Sequence, residues 1–193
     1  MSHIDRKIRE KGAVRKNILD ATLRIATKEG WYAVTIRKIA DMIEYTPPVF
    51  YEHFENKGDL IQALISNGFR LIKTEMDKAM TVESDPAKLL IQISLIHWEF
   101  AFKNEALFQL MFSMERPHLT SEMIAFFEVT QKVFQKLTDQ GKELADELMF
   151  NWACLVNGYI TLTMRIRHAP KMHRKNAREL YLGAIERFLK GID

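Results

Sequence analysis

KEGWYAVTIRKIADMIEYTPPVFYEHFENKGDL, residues 28–60, sets several helix starts and stops within one short span. Gly30 after Glu29 reads as a left-handed helix stop. Thr35 then stands before Ile36, Ile39, Ala40 and Ile43, whose spacing makes one apolar helical face behind a threonine cap. Phe50 and Phe54 repeat at helical spacing behind the paired prolines Pro47 and Pro48. Asn56 opens a further helix, with Asp59 in the third position of a capping-box-like start. A short helix, a tight turn and a second short helix make a helix-turn-helix, although a plain three-helix bundle has the same layout.

Outward from this span, helical spacing recurs and period-two alternation is nearly absent, so the fold class is all-α. A first helix is expected over 13–29, with Ile18, Leu19, Leu23, Ile25 and Ala26 as its stripe. The helix from Asn56 extends to about Met80. Beyond it, helices are expected over Asp85–Phe102, Glu105–Met114, Thr120–Leu137, Glu143–Arg167 and Lys171–Lys190, rich in leucine, phenylalanine and methionine. Short punctuated helices give way to long ones inside the fourth helix, which suggests two domains, residues 1–60 and 61–193.

The chain has 193 residues, 47% of them hydrophobic, enough for a sizeable core. No signal-peptide pattern and no uncharged run of bilayer length is present, so a soluble, cytoplasmic protein without a membrane partner is expected. The single cysteine, Cys154, sits in an apolar run and is expected to be buried. A net charge of +3 names no partner. Six cations in the first sixteen residues, from Arg6 to Lys16, face only Asp5 and Glu10. They suit phosphate or minor-groove contact, and equally a solvated terminus. A second acid-free cluster, from Arg165 to Arg178, reads as solvated chain around a loop at Ala169–Pro170.

With Phe50 and Phe54 inward, Pro48, Val49 and Glu52 point outward, flanked by Tyr51 and His53. Such a face suits a helix in a DNA groove with flanking polar groups on phosphates. Glu29-Gly30, Thr35, Ile39-Ala40, Tyr51, Phe54 and Lys57 together resemble the DNA-binding signature of the tetracycline-repressor (TetR) family, over about residues 15–65. Carried over by position, the resemblance implies DNA-binding roles for Thr35, Arg37, Thr46, Pro47, Pro48, Val49, Tyr51, His53 and Lys57. Arg37 would touch a base or phosphate, Thr46–Val49 would form the tip in the major groove, and Tyr51, His53 and Lys57 would hold the backbone. Glu44 stands where the family usually has glycine. If the turn needs positive φ, that glutamate costs roughly 1 kcal/mol.

The paired prolines forfeit little, because the first N–H groups of a helix have no internal partner. Either Thr46 is the cap with Pro47 first in the helix, or Pro47 is the cap and Pro48 first. The tip they form is apolar and poor in N–H donors, which favours thymine methyl groups beneath it.

In DELMFNWACLVNGYITLTM, residues 146–164, apolar side chains go nearly all the way round the helix, so more than one side must be covered. With Leu180, Ala184, Ile185 and Phe188 on the last helix, this suggests a homodimer through helices about 143–167 and 171–190. The family resemblance implies the same: a C-terminal helical domain that dimerises and binds a small molecule. NWACLVNG (151–158) also resembles the Trp-His-Gly signature of one TetR subgroup, with Asn157 in place of histidine, which leaves a ligand role there open. Ligand-binding candidates are Trp98, Phe102, Met111, Phe112, Phe127, Trp152 and Asn157, with His97 as a further polar handle. Each is also an ordinary core residue by its spacing.

No catalytic, phosphate-loop or zinc motif is present, so neither an enzyme nor a cofactor nor a metal site is expected. His168 and His173 flank a loop without a third ligand nearby. The expected function is a homodimeric repressor of a palindromic double-stranded operator, released by a small apolar or aromatic effector. The alternatives are an all-α enzyme with an unrecognised site, or a ligand-independent DNA-binding protein.

Overall fold

The structure is a computed structural model that describes residues 3–113, 119–166 and 177–192, and the statements below concern these residues. The elements are α1 (His3–Glu29), a 3-10 turn (Trp31–Ala33), α2 (Ile36–Met42), α3 (Pro47–Tyr51), α4 (Lys57–Val82), α5 (Pro86–Lys103), α6 (Glu105–Met111), α7 (Ser121–Leu137), α8 (Lys142–Ile166) and α9 (Ala177–Lys190). No strand occurs among the described residues, as the helical spacing requires. The expected ends at Met114, Arg167 and Lys171, the loop at Ala169–Pro170 and the pair His168 and His173 lie outside the described residues.

Local chemistry fixes most helix ends. Thr35 accepts a bond from the Lys38 N–H at 3.2 Å, and Thr120 accepts one from the Met123 N–H at 3.1 Å. Asp85 Oδ1 accepts from Ala87 and Lys88 at the start of α5. At α4, Asn56 Oδ1 accepts from the Asp59 N–H at 3.0 Å, but Asp59 reaches back to Glu55 N at 3.2 Å, one residue before the usual capping-box partner. The start of α1 differs from expectation: the helix begins at His3, not near residue 13. Its first turns carry no apolar stripe to reveal them, yet they hold good helix formers and an Arg6–Glu10 ion pair at 2.7 Å.

The chain forms two compact units. The first contains α1, the 3-10 turn, α2, α3, α4 up to Gly68, and α6. Its core gathers Ile18, Ile25, Ile39, Phe50, Phe54, Leu60 and Leu64, none more than 2% exposed. Trp31 Nε1 donates to the Ala106 carbonyl at 3.1 Å, which fastens α6 to the 3-10 turn. Gly68 lets α6 lie directly on α4: a Cβ there would stand 2.3 Å from Met111 Sδ.

The second unit contains α4 from Phe69 onward with α5, α7, α8 and α9. Ser94 is its polar hub: its hydroxyl donates to Leu90 O at 2.7 Å and accepts from Trp152 Nε1 at 2.9 Å. Tyr181 OH donates to the Ser94 carbonyl at 2.7 Å. Every side-chain polar atom in this trio has a partner, as a buried network requires. On α8, Leu148, Trp152, Val156, Ile160 and Met164 face inward at four-residue steps. Cys154, expected to be buried, lies on the opposite side and is exposed. An all-round apolar helix does not reveal which side its own unit covers. On α9 likewise, Ala184 and Ile185 belong to the unit's own core rather than to a free face, while Leu180 is 54% exposed.

Candidate nucleic-acid interface

The candidate face begins with a backbone turn. Tyr45 N–H bonds to Ala40 O at 3.0 Å and Glu44 N–H to Asp41 O at 3.3 Å, the paired bonds of a Schellman stop. That stop places Glu44 at φ 60, the left-handed region where glycine is favoured. Tyr45, the next residue, is 44% exposed. Gly30 also has positive φ, but its ψ of 164 is extended, so it is not the left-handed helical stop expected from the sequence. A side chain at Gly30 would also meet the Tyr32 ring.

Thr46 is the N-cap of α3 in extended geometry (φ −87, ψ 152), with Pro47 and Pro48 in the first two helical positions. Of the two registers the sequence leaves open, the first is the one adopted: Thr46 takes the extended backbone favoured before a proline, whereas Pro47 is helical although it also precedes one. Thr46 makes no side-chain cap bond. Phe50 and Phe54 are buried to 1% and 2% exposure and pin the short helix. Thr46, Pro47 and Pro48 are exposed, Val49 is half-buried, and Tyr51 is exposed. Thr35, the cap of α2, and Arg37, within it, are exposed as well. The helix-turn-helix thus brings Thr46–Val49 together as one solvent-facing tip.

The flanking residues are more constrained. Lys57 Nζ donates to Val34 O at 2.7 Å, so its ammonium is anchored beside the 3-10 turn with donors to spare. His53 is half-buried and its Nδ1 has no partner among the described residues. Burial lowers its pKa, Lys11 and Arg15 lower it further, and Glu52 opposes them. A neutral imidazole meets a phosphate as a hydrogen-bond donor only. Two contacts here have no counterpart in the sequence reading. Lys38 Nζ pairs with Glu29, tying α2 to the end of α1. The Arg15 guanidinium stacks over the Phe54 ring at 4.7 Å from its centroid.

The ligand candidates divide between the units. Met111 and Phe112 lie in the first, Met111 fully buried against Gly68 and Phe112 with its ring 4.6 Å from Phe108. Trp98, Phe102, Phe127, Trp152 and Asn157 lie in the second. There Trp98 stacks on Tyr181 at 4.8 Å and tilts against Phe102 at 4.6 Å. His97 is edge-on to Trp152 at 5.1 Å and tilted to Phe126 at 5.5 Å. Burial drives the His97 pKa down to about 4, and its Nδ1 is 2.8 Å from Ile93 O, so the ring is neutral. Phe127, at 38% exposure, touches Phe69 and Phe126. Asn157 Nδ2 donates to Ala153 O at 2.9 Å, leaving Oδ1 buried without a partner. Among the described residues, no group of three or more metal-ligating side chains occurs.

Residues 18–64 match the sequence model of bacterial regulatory proteins of the tetR family. This stretch of the chain thus carries the likeness to the TetR family. Over 76 residues it is 34% identical to the HTH-type transcriptional repressor KstR of Mycolicibacterium smegmatis, covering 39% of this chain and 37% of that repressor's length. The TetR fold extends further. A TetR variant from Acinetobacter baumannii AYE, in complex with minocycline, superposes with a TM-score of 0.70 at 15% identity, covering 90% of this chain and 93% of that one. A Rhodococcus sp. RHA1 protein of unknown function gives a TM-score of 0.76 at 18% identity, covering 92% and 94%. The matched segment contains both α2 and α3, so the α2–α3 face is the candidate DNA interface. No described helix is long and apolar enough to cross a membrane.

Proposed function

We propose that this chain is a cytoplasmic homodimeric repressor of the TetR family that binds a palindromic DNA operator and is released by a small, largely apolar ligand. The observation that carries the reading is the tip Thr46–Val49. Phe50 and Phe54 hold it from within, and its exposed prolines, with half-buried Val49, offer a groove an apolar surface. Thr35, Arg37, Thr46, Pro47, Pro48 and Val49 form the reading surface, and Tyr51, His53 and Lys57 flank it on the phosphate side. Steps carrying thymine methyl groups suit such a tip. The similarity to KstR, itself named a repressor, supports the direction of control.

Dimerisation is supported by the outer side of α8. Phe150 is 68% and Leu162 56% exposed, with Cys154 and Gly158 between them at helical spacing. Leu180 adds apolar surface from α9. A stripe of this kind, with small residues at its centre, suits close packing against a second copy. Ligand capture is supported by the ring cluster His97, Phe126, Phe127 and Trp152, with Trp98, Phe102 and Asn157 in the same unit. An apolar site with few polar groups suits an apolar or aromatic effector.

The test is a mobility shift on the DNA upstream of the chain's own gene. Tight binding that prefers that fragment over random DNA and weakens steeply with salt is expected. Absence of a shift on any genomic fragment would sink the reading.

A further inference from the structure

The first turns of α1 pose a problem that the helix-turn-helix does not solve. Every side chain from Asp5 to Ala13 is exposed, and the first fully buried residue of the helix is Ile18. This stretch buries nothing and so contributes nothing to the core, yet it stays helical. Three of its cations share one face. Lys7, Lys11 and Arg15 follow one another at four-residue steps, which stacks them on one face. Three and seven residues beyond Arg15 stand Ile18 and Thr22, both fully buried, so this row continues the side of α1 that packs into its own unit. Glu10 lies off the row and pairs with Arg6 at 2.7 Å. Lys7 and Lys11 form no ion pair among the described residues.

The row also has a position. Arg15 lies over the ring of Phe54, just beyond the end of α3. Lys11 and Arg15 are close enough to His53 to depress its protonation. The basic face therefore runs on from the phosphate-side flank of the reading helix, beside His53.

We propose that the N-terminal extension of α1 is a second DNA-contacting surface, in which Lys7, Lys11 and Arg15 grip the phosphate backbone beside the groove read by α3. The inference rests on the DNA-binding reading above. The partner is the duplex backbone rather than a base edge, because cationic groups on an exposed helix, without rigid support, neutralise phosphates and carry no sequence code. The row spans about 12 Å from Lys7 to Arg15 at the usual rise, or roughly three phosphate steps along one strand.

The full-length chain and its Lys7→Ala/Lys11→Ala variant are titrated onto the upstream fragment and onto random duplex across a salt series. Arg15 is left in place because it also packs on Phe54. The slope of log affinity against log salt is expected to flatten by about 2 for each reading head engaged. Affinity for both DNAs falls together, so the preference for the upstream fragment is unchanged. Lys7→Glu/Lys11→Glu should weaken both further, with circular dichroism and Tm as in the parent. An unchanged slope in both variants, with Tyr51→Phe still weakening the complex, would overturn the second surface and leave the DNA reading intact. No preference of the parent chain for any genomic fragment would remove both. A shifted base preference in the alanine variant would also overturn the proposal, since it would mean base contact.

Discussion

Tyr45 donates its backbone N–H to the carbonyl of Ala40 at 3.0 Å, and this bond closes α2 only because Glu44 sits at φ 60. The turn keeps the geometry that glycine would serve and holds it with a side chain that opposes it. Glu44→Gly is expected to raise stability by about 1 kcal/mol, since the left-handed penalty disappears while both stop bonds remain. The corresponding rise in Tm is a few degrees, read by calorimetry. A lower Tm would mean that the glutamate side chain supplies an interaction outweighing its strain.

The proposed reading face predicts two kinds of residue. Tyr51→Phe should weaken all DNA to a similar extent, because the hydroxyl is assigned to phosphate. Arg37→Ala should relax preference at a single base pair, losing about 1–3 kcal/mol of discrimination there. Lys57→Ala has a mixed outcome: it removes a phosphate cation and the bond to Val34 O, so Tm and affinity fall together. Competition binding against single-position operator variants distinguishes these cases. A uniform loss in Arg37→Ala would reassign that residue to the backbone.

His97 should make the second unit acid-sensitive. Its folded pKa of about 4 lies below the ordinary value of 6.5, so the unfolded chain binds the proton more readily. A His with a lowered folded pKa keeps its full contribution above about 6.5 and loses it as pH falls towards 4. The loss amounts to roughly 3 kcal/mol. His97→Gln should flatten the fall in Tm between neutral pH and pH 4 relative to the parent. Identical pH profiles for the two chains would show that the imidazole finds a way to be protonated while folded.

Charge on the outer side of α8 should separate subunits without unfolding them. Phe150→Asp and Leu162→Asp replace exposed side chains, so each is expected to leave helicity unchanged and to convert a dimer into monomers in light scattering. Operator affinity should drop with it, because two linked heads bind far better than one. A dimer that survives both changes would place the interface elsewhere.

Where the chain's chemistry is local, the sequence reads well. Thr35, Thr46-Pro47, Asp85-Pro86 and Thr120 each start a helix where the structure has one, because a cap or proline acts on its neighbours alone. Of the outward set Pro48, Val49 and Glu52 expected from the spacing of Phe50 and Phe54, Pro48 and Glu52 are exposed and Val49 is half-buried. What stays hidden depends on contacts far apart in the chain. The bond from Trp31 to Ala106, seventy-five positions apart, brings α6 into the first unit. The Lys57–Val34 and Lys38–Glu29 contacts arise from the same kind of packing. Cys154, Ala184 and Ile185 are misplaced because an apolar helix does not say which side its own unit covers: Cys154 is exposed, and Ala184 and Ile185 are buried in their own unit. The early turns of α1 escape notice for a simpler reason: an unburied helix has no stripe.

The contact between Gly68 and Met111 couples two distant positions in inheritance as well as in space. A Cβ at 68 would stand 2.3 Å from the Met111 sulfur and 3.3 Å from Leu107 Cδ1, and Met111 is fully buried, with little room to yield. A lineage that acquires alanine at 68 is therefore under pressure to shorten the side chain at 111, and one that keeps methionine there is held to glycine. Paired change at these two sites, absent from either alone, is the mark that this close approach would leave among descendants of the chain.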